Sequence, residues 1–213
     1  MVWRLIKTII YLIRHSEPLN DKKYISSFDS LQIENEKNPL SVEGEEKAKK
    51  LSLTDEMQNI DLVISSNYVR AISTAKYLAH QNKLDINIID DFGERKFGIN
   101  SWDEKPKNFT QRQLEDENYK MPNGESRKET ADRMYNALIG VLNEYSGKKV
   151  AVVSHATAIT YLFMKMFNYK KGTMNIDFNG KKIIDENFVW NAPEVFKLVF
   201  DDNELIDIIN IKN

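Results

Sequence analysis

Apolar residues in this chain gather into short unbroken runs, and the stretches between several of them carry apolar positions at helical spacing. Residues 9–13 (IIYLI) are continuously apolar and rich in β-branched side chains, the pattern of a strand buried on both faces of a parallel sheet. "KKVAVVS" at 148–154 is the clearest run of this kind, "DLVISS" at 61–66 is another, and "INII" at 86–89 is a shorter one. Ser41 is a good N-cap with Glu43 in the first turn and Ala48 and Leu51 facing inward, so a helix is predicted from about Val42. Helical spacing recurs at Val69, Ile72, Ala75, Leu78 and Ala79 after "DLVISS". It returns at Ala131, Met134, Tyr135, Leu138 and Leu142, ending near Tyr145, and at Ile159, Leu162, Phe163, Met166 and Phe167. Alternating segments at 196–200 and 205–211 flank the turn "DDNE" and predict a hairpin or edge pair. Residues 20–38 show no clear period. About 99–125, which include Pro106, Pro122 and Gly124, predict loops or a small helical excursion over one end of the sheet. Strands alternating with helices, followed by late strands, predict an α/β fold: a three-layer α/β/α sandwich with a mostly parallel central sheet, as one domain over residues 1–213.

Composition narrows the partners. With 213 residues, 41% of them hydrophobic, the chain can bury a substantial core. A net charge of −2 with mixed signs supplies no field for nucleic acid or an anionic membrane, so neither is expected as a partner. The absence of cysteine excludes a disulfide framework, thiolate metal sites and a cysteine nucleophile, and it fits a cytoplasmic protein. Residues 2–13 are apolar apart from Arg4, Lys7 and Thr8, too short to cross a bilayer. They run into Arg14, His15 and Glu17 rather than a small-residue cleavage site, which reads as a first strand and not a targeting signal.

Two of the three histidines stand at strand ends. His15 follows the first strand and His155 follows "VAVVS", and ligands of open α/β sheets bind just outside the carboxyl ends of the strands. Arg14 adjoins His15, Arg70 lies in the first turn after "DLVISS", and Glu94 sits in a Gly-flanked loop after the short third strand. His80, late on a helix before "QNK", reads as a solvated side chain. Together Arg14, His15, Arg70, Glu94 and His155 suit cleavage of a phosphate monoester. Two guanidinium groups and a protonated His155 hold the charge of the phosphoryl oxygens, and a neutral nitrogen of His15 attacks phosphorus. Glu94 protonates the leaving group and then activates water, given apolar and anionic surroundings that keep part of it protonated. The scheme needs no metal and no cofactor.

The motifs resemble the histidine phosphatase superfamily, also called phosphoglycerate mutase-like. The family's Arg-His-Gly-Glu matches Arg14, His15, Ser16 and Glu17, and its Pro-Leu-Thr-x-x-Gly is similar to Pro39, Leu40, Ser41 and Gly44. Ser65, Ser66, Arg70, Ala71, Thr74 and Ala75 match the Ser-Ser-x-x-x-Arg-Ala-x-x-Thr-Ala signature, and "GERKFG" resembles the acid loop, with Glu94 in the proton-transfer position. Gly124, Glu125 and Ser126 precede the long helix as in the family, "VVSHAT" resembles the second histidine motif, and Asn191 is a candidate for the closing asparagine. The resemblance implies a metal-independent phosphatase forming a phosphohistidine on a small phosphorylated metabolite. The alternatives are a phosphoglycerate mutase with the same chemistry and an impaired phosphate-binding or regulatory relative.

Ser16 and Ala156 stand where the family has glycine after each histidine. Both are candidate substrate-binding positions, with the Ser16 hydroxyl as an added donor. Asn20 and Ser27 are candidates to reach the phosphate from the following loop, as loop residues do in the family. Arg95 and Lys96 are candidates for a remote anion, and Trp102, Phe109 and Tyr119 either line a lid or pin the loop to the core. The mutase branch implies a longer basic insertion after the acid loop, whereas residues 95–123 are short and close to charge-balanced. A two-metal phosphohydrolase lacks a clustered Asp and His ligand set. A monomer and a homodimer are equally compatible with the sequence.

Overall fold

A computed structural model describes residues 7–20 and 30–211. Its central sheet has six strands: β1 (Lys7–Arg14), β2 (Leu62–Ser65), β3 (Ile86–Ile88), β4 (Lys149–Ser154), β8 (Glu194–Asp201) and β9 (Glu204–Ile211), in the order β3-β2-β4-β1-β8-β9. The pairs β3–β2, β2–β4 and β4–β1 are parallel, and β8 runs antiparallel to both its neighbours. Alternation along β1 divides the core. Tyr11 and Ile13 face the layer of α2 (Val42–Ser52) and α3 (Val69–Asn82), while Ile10 and Leu12 face that of α5 (Arg127–Glu144) and α6 (Ala156–Met166). The three-layer, mostly parallel sandwich is therefore the observed architecture.

The structure adds two features to the sequence reading. Residues 31–37 form the short helix α1 (Leu31–Lys37), which has a single buried anchor, Leu31, and so left no readable period. A second sheet, β5 (Asn168–Tyr169), β6 (Ile176–Phe178) and β7 (Lys181–Ile184), pairs in that order. Asn179 and Gly180 join β6 to β7 with positive φ values of 51° and 78°. Asn-Gly at that spacing is the strongest short-range hairpin signal a sequence offers. In the stretch 99–125 a 3-10 turn at Trp102–Glu104 precedes the helix α4 (Phe109–Glu115).

The rim that carries the site is tied down locally. Ser41 caps α2 by accepting from Gly44 N, and Ser41 N donates to Glu17 O at 3.0 Å. A Cβ on Gly44 would stand 2.1 Å from Glu17 O, so only glycine lets the first turn of α2 press against the segment after His15.

Candidate active site

Sheet register brings the two histidines together. Arg14 pairs with Ser154 at the ends of β1 and β4, so His15 and His155 each lie one residue beyond a matched pair. His15 N donates to Ser154 O at 2.9 Å, and the imidazole centroids are 5.1 Å apart at 60°. Both rings are buried, His15 at 6% and His155 at 0% exposure.

Arg70 joins them. Its Nε donates to His15 Nε2 at 3.0 Å and its Nη2 to His155 Nδ1 at 3.2 Å, while Nη1 donates to the carbonyl of Asn35 on α1. Guanidinium groups only donate, and a carbonyl only accepts, so these contacts fix both tautomers. His15 carries its proton on Nδ1, donated to Ser16 O at 2.6 Å, and Nε2 keeps its lone pair. His155 carries its proton on Nε2, donated to Ser66 Oγ at 2.8 Å. Burial, followed by the Arg70 charge, draws both imidazoles well below the ordinary histidine range. Without a ligand His155 thus favours its neutral form, and the protonated His155 expected from the sequence is a state of the phosphate-bound site. Arg14 Nη1 donates to the carbonyls of Trp190 and Asn191, both at 2.9 Å, and its Nε is buried without a partner among the described residues.

Glu94 is held by backbone amides. Its Oε1 accepts from Ala158 N at 3.0 Å and Arg95 N at 2.9 Å, and Oε2 from Thr157 N at 3.3 Å, which places the carboxylate at the N-terminus of α6. The Arg14, Arg70 and Arg133 charges act on it as well. The expected apolar and anionic surroundings are therefore corrected to amide donors and cations.

Other residues depart from expectation. Ser16 is fully buried and its hydroxyl donates to Gly44 O at 2.7 Å, while its amide donates to Thr74 Oγ1 at 2.9 Å. Ser16 thus braces α2 and α3, its hydroxyl proton directed at Gly44 O where the sequence suggested an added donor for substrate. Ala156 opens α6 and is half-buried, Asn20 is exposed, and Ser27 lies outside the described residues. Arg95 is only 4% exposed, donating to Gln113 Oε1 at 2.6 Å and Tyr161 Oη at 3.1 Å with Phe97 and Phe109 against its guanidinium. Phe97, Trp102, Phe109 and Tyr119 pack on one another, which pins the stretch after the acid loop. Lys96 is exposed at the mouth of a cavity of about 110 Å³ also lined by Glu36, Tyr68, Glu94 and Arg133. His80 is exposed.

Arg133 was not singled out from the sequence. It donates to the carbonyls of Asp91 (2.7 Å), Gly93 (3.0 Å) and Glu94 (3.1 Å), and pairs with both oxygens of Glu125, which also accepts from Lys96 N. One guanidinium thereby fixes the loop that presents Glu94. An inward-facing arginine on the long helix, about two turns past Glu125 and Ser126, was the available signal.

Known proteins are similar to this chain in sequence and in fold. The chain is 30% identical over 128 residues to the uncharacterized phosphatase PhoE of Bacillus subtilis, a match spanning 60% of this chain and 64% of that protein. It is 29% identical over 159 residues to the probable phosphoglycerate mutase GpmB of Escherichia fergusonii, covering 70% of each. In fold it is similar to mycobacterial glucosyl-3-phosphoglycerate phosphatase, with a TM-score of 0.70 over 96% of this chain and 97% of that one at 17% identity. The sequence profile of the histidine phosphatase superfamily (branch 1) matches residues 10–179, and the chain belongs to that superfamily.

Proposed function

We propose that the chain is a metal-independent phosphatase that hydrolyses a small phosphorylated metabolite through a phosphohistidine at His15. The observation that carries this reading is the state of His15: Nδ1–H is held by Ser16 O, and the Nε2 lone pair faces Arg70. A nucleophile poised as the neutral base needs no deprotonation before attack. Arg70 exchanges the Asn35 carbonyl and His15 Nε2 for phosphoryl oxygens when substrate enters, and Arg14 Nε supplies a buried donor that lacks an acceptor among the described residues. His15 Nε2 then forms the N–P bond as the ester P–O bond breaks, and the leaving oxygen takes a proton from the Glu94 carboxyl, which the dianionic phosphoryl group beside it favours in protonated form against the amides and cations around it. Water next attacks phosphorus, giving a proton to Glu94 as the N–P bond breaks and free phosphate departs. The dianionic phosphoryl group favours a charged His155, offsetting the burial and Arg70 charge that keep it neutral beforehand.

Identity of 29% to a probable phosphoglycerate mutase supports a second reading, in which the phosphoryl group returns to the substrate. The burial of Arg95 against Gln113 and Tyr161 favours hydrolysis, because this guanidinium is spent on packing instead of a substrate carboxylate. Hydrolysis of an aryl phosphate in excess chelator tests the proposal: turnover by wild type and none by His15→Ala is expected. Turnover that needs an added divalent ion, or efficient interconversion of 3- and 2-phosphoglycerate with little free phosphate, would overturn it.

A further inference from the structure

Tyr68 lies between the parts of the site. It precedes α3, is 2% exposed, and stands two residues before Arg70. Its ring meets His155 edge-on with centroids 4.5 Å apart, and the Arg70 guanidinium carbon sits 4.8 Å from its centroid. The hydroxyl accepts from Gln32 Nε2 on α1 at 3.0 Å and donates to Glu94 O at 3.4 Å. Gly93 lies against the ring, since a Cβ there would be 3.2 Å from Tyr68 Cε2. One side chain thus touches the phosphate-facing arginine, the second histidine, the backbone of the acid loop and the helix α1.

We propose that Tyr68 is a positioning residue for the reaction, its ring orienting Arg70 and His155 and its hydroxyl holding the Glu94 loop in register with them. This rests on the phosphatase reading. The two halves of the side chain act on different steps. A cation over an aromatic face is attracted by the ring quadrupole, so the ring holds the guanidinium where phosphate binds. Among the described residues the hydroxyl bonds to the acid loop and α1 alone, so its loss displaces the proton donor while phosphate binding persists. Burial pushes the phenol pKa up to about 12, and it stays a neutral donor at every working pH.

Leaving-group dependence separates positioning from mere structure. A nitrophenolate departs without help, whereas an alkoxide needs a proton in the transition state. Tyr68→Phe is therefore expected to bind orthovanadate within twofold of wild type, to hydrolyse nitrophenyl phosphate within about threefold, and to lose on the order of tenfold in kcat on an alkyl phosphate. Tyr68→Leu is expected to weaken orthovanadate binding as well, by about five- to tenfold, because the guanidinium loses its aromatic support. Equal losses on both substrates by Tyr68→Phe, or unchanged vanadate affinity in Tyr68→Leu, would overturn the proposal. Should wild type bind vanadate yet turn over no ester, the phosphatase reading fails and the vanadate comparison alone decides the role of the ring. Absence of both turnover and vanadate binding overturns both.

Discussion

The chemistry of single residues is set here by which neighbour accepts and which donates. His15 owes its tautomer to one carbonyl and one guanidinium, and burial with the Arg70 charge keeps it neutral. An unperturbed imidazole titrates near about pH 6.5. Plotted as kcat/KM and corrected for substrate ionisation, the acid limb is therefore expected well below about pH 6.5, and a limb at or above that value would show that His15 titrates as an ordinary histidine. Arg133 invites a second substitution. Burial alone would raise the Glu125 carboxyl, but the hydrogen bond and charge of Arg133 outweigh it and hold Glu125 below the usual range. Arg133→Met removes the partner and frees three carbonyls of the acid loop, at a cost of about 3 kcal/mol. Calorimetry is expected to show that loss, with kcat falling more than the affinity for inorganic phosphate. Motif residues were legible as types and spacings. The state of His155, the inward turn of the Ser16 hydroxyl and the amide cradle of Glu94 were not, since each depends on atoms from distant segments.

At the level of elements, the helix starts carry much of the site's construction. Ser126 and Glu129 form a capping box at the start of α5, directly after Glu125. Ser126→Ala is expected to cost about 1 kcal/mol, read as a lower Tm with little change in KM. Gly44→Ala acts differently, because the new methyl would collide with Glu17 O two residues from the proposed nucleophile. It is expected to destabilise by about 1–3 kcal/mol and to lower kcat as α2 is forced away from the rim. Helices with an apolar stripe were readable from the sequence, as was the hairpin around Asp202 and Asn203. The helix α1 was not, because seven residues with one buried side chain leave no period, and its role is to bring the Asn35 carbonyl to Arg70.

For the whole molecule, burying two imidazoles on one rim has a consequence for stability. The folded state keeps both neutral with pKa values below those of the unfolded chain, so as pH falls through about 6.5 the unfolded chain binds protons that the native state refuses. Stability is expected to decline below that pH and to decline less steeply in His155→Asn, which thermal unfolding across about pH 5 to 8 would test. The depressed Glu125 acts lower down: its contribution is present above about pH 4.3 and is lost as the medium falls toward its folded pKa. Among the described residues no helix is long and apolar enough to cross a membrane. The sequence by itself determined the layered α/β architecture and the motifs, because apolar period and turn chemistry are local properties of the chain. Only the tertiary structure decided that β1 and β4 lie side by side, so that His15 and His155 meet across 139 residues of intervening sequence with Arg70 bridging them. It also decided which of the buried polar atoms face one another. Strand order and hydrogen-bond partnership depend on contacts between remote segments, and a periodicity read along the chain contains neither.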